Sequence, residues 1–501
     1  ARDQGLYRAI TDNGAGGLSS SVGEMASLSG GCEIDLKKAP LKYAGLHPWE
    51  ILISEAQERM TLAVYPDKID AFLNLAAKMG VEATVLGRFT DSEMFHVCYG
   101  EQTVAFLDME FLHEGLPQMK LNARWTPPVF PEPDFPEPAD LGRALKEMLG
   151  RLNICSKESV VRQYDHEVQG GSAVKPLVGA ADDGPGDAAV LRPILESFEG
   201  IVVASGICPR YSDIDTYAMA ACAIDEAIRN AVAVGASLRR MAGLDNFCWC
   251  DPVESEKTPD GRYKLAQLVR ANEALYDYTR IYGVPCISGK DSMKNDYMIG
   301  GTKISIPPTL LFSVIARMDD VRRAVTMDAK QPGDLVYVLG ETRKELGGSE
   351  WYALNGFVGN SVPRVDARKA RSRYEALCGA MEAGLVASCH DCSDGGLGVA
   401  LAEIAFAGGL GMAVDVSLAP SAGITRNDDL LFSESQSRLV VTVSPADREA
   451  FESMMADSEM ACIGRVTVEQ TFVVTGLQGR VIIEEEIASL KEAWQQTLRE
   501  M

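Results

Sequence analysis

What this sequence lacks narrows its function before any motif is read. No apolar run approaches the roughly 18 residues that a membrane span needs. The opening ARDQGLYRAITDNG has neither a secretory nor a transit pattern. The expectation is a soluble, cytoplasmic protein without a membrane partner. Positive charge is also scarce: 48 Lys and Arg face 71 Asp and Glu, a formal net charge of −23. Nucleic-acid polymers select proteins with a basic face, so none is expected as a partner. A small phosphorylated ligand is still compatible, because Mg²⁺, glycine-rich backbone and a few local cations can hold it. No GxxxxGK[ST] occurs, and Gly289-Lys-Asp-Ser292 has too few glycines for such a loop, which excludes P-loop chemistry. The five histidines suggest no Ser-His-Asp or Cys-His arrangement. The twelve cysteines are scattered through apolar stretches, as at Cys155, Cys222 and Cys286, and suit small buried hydrophobes in a reducing compartment. Cys389-x-x-Cys392 and Cys248-x-Cys250 have no second pair at zinc-site spacing.

What the sequence has is a domain written twice. His390 to Ala405, HDCSDGGLGVALAEIA, is a near copy of Thr11 to Ala26, TDNGAGGLSSSVGEMA, 379 residues earlier. Ser54-Glu-Ala-Gln-Glu-Arg59 and Ser433-Glu-Ser-Gln-Ser-Arg438 keep the same offset, and Gly87-Arg-Phe-Thr90 echoes Gly464-Arg-Val-Thr467 at 377. A period this long means duplicated domains rather than a solenoid. The second copy has about fifty residues of strand and helix pattern before Gly384, starting near Asp334, whereas the first begins at the equivalent of Gly384. Position 1 is therefore expected to fall inside a domain, in a fragment or in a chain whose N-terminal half another chain supplies.

Residues 1 to 115 read as an α/β unit: a helix at Leu18–Ser29, a short buried strand at Met60–Val64, and an amphipathic helix at Ile69–Met79. Six prolines between Trp125 and Pro138 forbid helix and central strand, so this stretch reads as an extended linker, followed by a helix at Leu141–Leu152. From about Val174 a new domain offers strands at Asp187–Val190, Gly200–Ser205 and Leu310–Ala316 around a long helix, Tyr217–Val234. The second copy follows, and a helical tail ends the chain.

Several residues have the character of ligands. Asp391 and Asp394 leave a strand end just before Gly395 and Gly396, which open a helix. Such a turn favours phosphate, with the carboxylates holding Mg²⁺ against it; the alternative is an aspartate cap before turn glycines. Asp12 with Gly14, Gly16 and Gly17 repeats the arrangement. Glu226 and Asn230 stand at i and i+4 on a helix that is otherwise apolar, either as two oxygen ligands for Mg²⁺ or as a solvated edge beside an Asp225–Arg229 pair. Asp187 follows a glycine turn at Gly184, and Lys175 is a lone cation in an acidic chain. His390 has Thr11 as its counterpart and reads as a core or supporting histidine. The corners containing Ser54, Glu55, Gln57 and Arg59, and Ser433 to Arg438, are either a hydrogen-bonded frame or a ligand wall.

The motifs Asp12-Asn-Gly-Ala-Gly-Gly17, Val174-Lys-Pro-Leu177, Gly184-Pro-Gly-Asp187, Asp225-Glu-Ala-Ile-Arg-Asn230, Leu244-Asp-Asn-Phe247, Gly289-Lys-Asp-Ser292, Gly347-Gly-Ser349 and His390-Asp-Cys-Ser-Asp-Gly-Gly396 resemble those of the phosphoribosylformylglycinamidine synthase family, within the superfamily of aminoimidazole ribonucleotide (AIR) synthetase. The resemblance implies an α/β (α+β) fold of duplicated tandem domains in the order A1-B1-A2-B2. It assigns 1–115 to an N-terminally incomplete B1, 116–173 to the proline-rich linker and helix, 174–328 to A2, 329–480 to B2 and 481–501 to the tail. It implies a ligase of purine biosynthesis that converts formylglycinamide ribonucleotide, ATP and ammonia into the amidine, ADP and phosphate. Residue by residue, Lys175, Gly184, Asp187, Asp394, Gly395 and Gly396 would hold an auxiliary ATP or ADP. Asp187, Glu226, Asn230 and Asp391 would hold its Mg²⁺. Asp12, Gly14, Gly16, Gly17, Ser54, Glu55, Gln57 and Arg59 would line the catalytic cleft. Implied partners are the nucleotide substrates, a separate glutaminase subunit supplying ammonia, and either an upstream A-domain half or a second copy of the chain. The isolated chain is expected to be inactive and to dimerise through residues of about 175 to 325. The alternative function is a non-catalytic ADP- and Mg²⁺-binding scaffold that needs a partner chain.

Overall fold

The computed structural model describes residues 1–163 and 166–499, with Gln57 and Val168 described by their backbone alone. In each copy two adjacent glycines start the repeated helix, and the backbone explains why. Gly16 and Gly17 have φ of +83° and +57°; Gly395 and Gly396 repeat this at +79° and +65°. A Cβ on Gly17 would stand 2.3 Å from the Ser54 carbonyl oxygen, and one on Gly396 would stand 2.3 Å from that of Ser433. The pair thus turns the chain and lets the helix begin against the repeated Ser-Glu corner. We expect Gly396→Ala to cost about 2 kcal/mol or more, from a left-handed residue with a side chain plus the carbonyl clash. A urea midpoint equal to that of the parent would contradict this account.

The chain divides into two compact units, Ala1–Lys120 and Leu121–Met501. In the first, Ala9–Asn13 pairs antiparallel with Ala56–Ala63, and a separate four-stranded sheet runs in the order Gly87–Phe89, Cys32–Asp35, Met94–Tyr99, Gln102–Asp108. Leu18, Val22 and Ala26 of helix Gly17–Ser27 pack with Cys32, Ile34, Phe95 and Val97 to form its core. The strand expected at Met60–Val64 begins earlier, at Ala56, and is not buried: Met60 is 45% exposed. Amphipathic helix Ile69–Lys78 has no fully buried residue.

In the second unit the repeated sheet has seven strands, in the order Ser388–Asp391, Leu439–Val443, Leu335–Leu339, Met460–Thr467, Gly411–Asp415, Thr471–Thr475, Val481–Glu486. Comparison with the first unit is direct. Every strand of this sheet has a counterpart in the first unit except Leu335–Leu339, which lies between Leu439–Val443 and Met460–Thr467 and is antiparallel to both. Among the described residues of the first unit nothing takes that central place, and its sheet is accordingly in two pieces.

A six-stranded sheet precedes the seven-stranded one, in the order Cys286–Ser292, Met241–Cys248, Thr309–Met318, Gly200–Ile207, Ala189–Leu191, Ser172–Val174. Helix Thr216–Ala233 lies on one face. It is capped by the Asp215 carboxylate, which accepts from Tyr217 N, and its Ala, Cys and Ile side chains are buried nearly all round, as expected of a helix enclosed on every side. The opposite face leaves Val203, Ile207 and Ile315 exposed.

The proline run is extended, as expected, but it is not a free linker. Proline lacks the backbone donor, and side chains of the second unit complete the hydrogen bonding. Asn360 bonds both to the Phe130 N–H (2.8 Å) and to its carbonyl (2.6 Å), and Arg426 donates to the Phe135 carbonyl at 2.7 Å. The Phe135 ring stacks on Phe357 with centroids 5.7 Å apart, with Trp351 and Tyr352 edge-on. Arg426 lies over its face.

Candidate functional site

Three elements bring carboxylates together in the second unit. Strand Ser388–Asp391 ends on Asp391, helix Thr216–Ala233 contributes Glu226 and Asn230, and the turn before strand Ala189–Leu191 contributes Asp187. Asp187 Oδ1 accepts from Asp391 N at 3.1 Å and is 2.7 Å from His390 Nδ1. One ligand atom from each of Asp187, His390 and Asp391 falls within 4.8 Å of the others. Glu226 joins through Ser393, whose hydroxyl donates to Asp391 and lies beside the Glu226 carboxylate. Its own Oε2 accepts from Ile207 N at 2.8 Å. Asn230 stands one turn further along, with Nδ2 on the Ser205 carbonyl at 3.1 Å.

Two acceptor atoms test whether this group fits a cation. Asp187 Oδ2 and Asn230 Oδ1 are buried and have no hydrogen-bond donor among the described residues. An unpartnered buried oxygen is costly. Oxygen donors gathered from carboxylates and an amide are the set a hard divalent ion takes, so the residues present fit Mg²⁺.

Charge is balanced inside the cluster by two cations, neither of which the sequence reading assigned a ligand role. Burial works against the His390 imidazolium, yet Asp187 and Glu403, 2.7 and 3.0 Å away on opposite ring nitrogens, hold its pKa well above the usual histidine range. Arg229 is fully buried. It lies 2.5 Å from Asp225 and 3.2 Å from Asp391, and donates to Gln436 and Ser393 at 3.1 and 3.0 Å. Burial pushes the carboxyls of Asp187 and Glu226 up. It does the same at Asp391, but Arg229 and His390 outweigh it and hold that group below the ordinary range. The reading of Asp225 and Arg229 as a solvated edge is therefore corrected. Tyr282, Tyr374 and Ser437 all donate to Asp225, and the pair forms the buried junction of the two sheets' helices.

The other sequence-predicted residues divide. Lys175 does not reach the cluster: its ammonium pairs with Glu167 at 3.1 Å, which with Asp182 raises its pKa. Lys157 is the lysine whose charge is felt at Asp394 and Glu403, and its ammonium is held by the Asn153 and Cys155 carbonyls. Gly184 is a packing position, since a Cβ there would lie 2.6 Å from that of Ala407. Asp394 keeps an exposed side chain. Glu434, Glu226 and Glu350 lie near it and oppose its ionisation. Glu434 itself is pushed up to about 7 by burial, although Gly395 N, Glu350 N and the Tyr211 hydroxyl all donate to it. Cys389 and Cys392 are buried and burial raises both thiols, the opposite of what metal-binding thiolates require.

The repeated corner is a frame in the second copy. Arg438 is fully buried and donates to the Ser433 carbonyl at 2.6 Å, to that of Ser435 and to Thr342. In the first copy the Arg59 bond to the Ser54 carbonyl recurs at 2.7 Å, but Ser54 and Glu55 are exposed. The Gln57 side chain lies outside the described residues. Asp12 Oδ1 accepts from Gly14 N at 2.7 Å, closing the turn before Gly16.

Comparison with known proteins agrees with the duplication. The family of AIR synthase related protein, C-terminal domain, matches residues 1–99 and again 331–476. The corresponding N-terminal domain family matches 185–306. Among curated proteins, phosphoribosylformylglycinamidine synthase subunit PurL of Thermoplasma acidophilum is 31% identical over 501 residues, covering 99% of this chain and 63% of that protein. PurL of Methanopyrus kandleri is 34% identical over 508 residues, covering 99% and 66%. The chain thus spans about two thirds of the length of the relatives it matches. A solved T. maritima PurL complexed with ADP superposes with a TM-score of 0.61 at 21% identity, covering 93% of this chain and 65% of that one, a likeness of fold. No helix among the described residues is long and apolar enough to cross a membrane. With both domain types matched and the C-terminal one matched twice, the chain belongs to the AIR synthase related family.

Proposed function

We propose that this chain is the synthase component of a phosphoribosylformylglycinamidine synthase, catalysing ATP-dependent conversion of formylglycinamide ribonucleotide to the amidine with ammonia, in the cytoplasm. The observation that carries the reading is the coincidence of both AIR synthase domain types, in tandem, with an acidic cluster of oxygen donors at their junction. In this reading 1–115 is B1, 116–173 the linker and helix, 174–328 A2, 329–480 B2 and 481–501 the tail. Relatives named for this enzyme, and solved PurL structures described as complexed with ADP, ATP and FGAR, support the choice of nucleotide and substrate.

Chemically, the substrate's amide oxygen attacks the γ-phosphate of ATP and ammonia then displaces the activated oxygen, so positioning and charge neutralisation matter more than a protein nucleophile. Asp187, Glu226, Asn230 and Asp391 would hold Mg²⁺ at the auxiliary nucleotide. Bound there, the ion neutralises phosphate charge. Around them Arg229 fixes the Asp391 carboxylate, His390 fixes that of Asp187, and the Gly395–Gly396 turn opens a helix whose N-terminus suits phosphate. Asp12, Gly14, Gly16, Gly17 and the Ser54–Arg59 corner, whose Ser54 and Glu55 are exposed in the first copy, are assigned to the catalytic cleft. The exposed Val203, Ile207 and Ile315 face is assigned to a second A domain, from an upstream half or another copy, and ammonia to a separate glutaminase.

The test is ADP release by the chain reconstituted with the polypeptide that carries the remaining third of its relatives' length. Turnover should require both formylglycinamide ribonucleotide and ammonia, and Asp12→Asn should lower kcat by about 100-fold or more. ATP hydrolysis indifferent to the ribonucleotide would refute the assignment.

A further inference from the structure

Away from the carboxylate cluster, a polar basin of about 610 Å³ opens between two helices. Tyr276, Asp277, Arg280 and Ile281 of helix Gly261–Tyr282 form one wall, and Arg368 and Arg371 of helix Ala367–Glu382 the other. In a chain where 71 acids outnumber 48 bases, a surface arginine is expected to find a carboxylate. Here only Arg371 does so, pairing with Glu375 at 3.0 Å. Arg280 lies over the Tyr276 ring, 4.8 Å from its centroid, and donates to its hydroxyl. Arg368 is exposed and has no hydrogen-bond or ion-pair partner among the described residues. The one acid in the basin wall, Asp277, has an oxygen already taken by the Tyr217 hydroxyl at 2.8 Å.

Two of the three guanidiniums are oriented without a ligand. Arg371 is steadied by Glu375 and by the Ile281 carbonyl at 2.9 Å, and Arg280 by Tyr276. Ordering already achieved is ordering that binding need not supply. Guanidinium forks match phosphate oxygens bidentately, and the volume lies within the roughly 300–1,000 Å³ of small-molecule sites. A single phosphate engages one fork, whereas cations on two helices call for linked phosphates. We propose that this basin is a second, metal-independent site for a small molecule bearing a di- or triphosphate group. The same two helices present Tyr282 and Tyr374 to Asp225, so its occupant would bear on the elements that hold the Arg229 junction.

The test is calorimetric titration of the chain with inorganic pyrophosphate in the presence of EDTA, which removes metal-dependent binding at the carboxylate cluster. Saturable binding is expected with a Kd of about 1 mM or tighter, weakening as salt is added. Arg368→Glu and Arg280→Glu should each weaken it at least about tenfold, the equivalent of one charged hydrogen bond. Arg368 is exposed and unpaired, so folding is not at stake in its reversal. Glu226→Gln should leave the affinity unchanged. The proposal is overturned if the parent shows no saturable binding or if both reversals bind as the parent does. Loss of binding in Glu226→Gln would also overturn it, by placing pyrophosphate at the carboxylate cluster.

Discussion

Arg229→Leu should destabilise the second unit by about 3–5 kcal/mol, the cost of removing one partner from a buried ion pair. The side chain is fully buried, and its guanidinium meets Asp225, Asp391, Gln436 and Ser393. Leucine fills much of the volume but removes the guanidinium that Asp225 and Asp391 share, and only Asp391 keeps a cation, His390, beside it. Asp225 is the more exposed to this loss in energetic terms. It keeps donors from Tyr282, Tyr374 and Ser437, but no positive charge remains beside it. Four of the five tryptophans, Trp125, Trp249, Trp351 and Trp494, lie in the second unit, so fluorescence during denaturation reports on that unit. Adding Asp225→Asn to Arg229→Leu should recover at least about 1 kcal/mol, since neighbours sharing a network are not additive. A single-variant loss below about 1 kcal/mol, the range of exposed pairs, would mean that the junction is wet and the buried pair is not formed.

How much of this was legible in the sequence follows from which interactions are local. The duplication and the double glycines could be read because they depend on spacing and on residues near each other in the chain. Helix Thr216–Ala233 was readable from its run of small apolar residues, within a residue at each end. Arg229 was misjudged because i, i+4 spacing to Asp225 is the commonest arrangement of an exposed helical pair. Only the packing of a strand 162 residues away, carrying Asp391, makes it a core residue. Lys175 was assigned from the resemblance of Val174-Lys-Pro-Leu177, while Lys157 and His390 meet the carboxylates through the fold. The proline run was correctly extended, but its docking partners Asn360 and Arg426 lie more than 200 residues on.

The remaining large effect separates a ligand cluster from a set of caps. Glu226 has an ordinary structural use, accepting from Ile207 N at 2.8 Å, and a glutamine there keeps an acceptor for that bond. If capping is its whole role, Glu226→Gln changes little. In the reading proposed above, Glu226 also contributes negative charge to a group whose Asp187 Oδ2 and Asn230 Oδ1 have no donor, and the group is completed only by a cation. Mg²⁺ with ADP should then stabilise the parent by about 2.7 kcal/mol at a hundred times its Kd, by mass action on the folded state. The gain should be visible as a rise in Tm that grows with nucleotide concentration. Glu226→Gln should lose most of it while unfolding at nearly the parent's Tm without ligand, and Glu226→Lys should abolish it. ADP with EDTA, or Mg²⁺ alone, should give less than the two together, because the phosphates and the carboxylates share the ion. No nucleotide-dependent shift in the parent would refute the nucleotide site. A full shift in Glu226→Lys would leave Glu226 as a cap and move the ligand set onto Asp187 and Asp391.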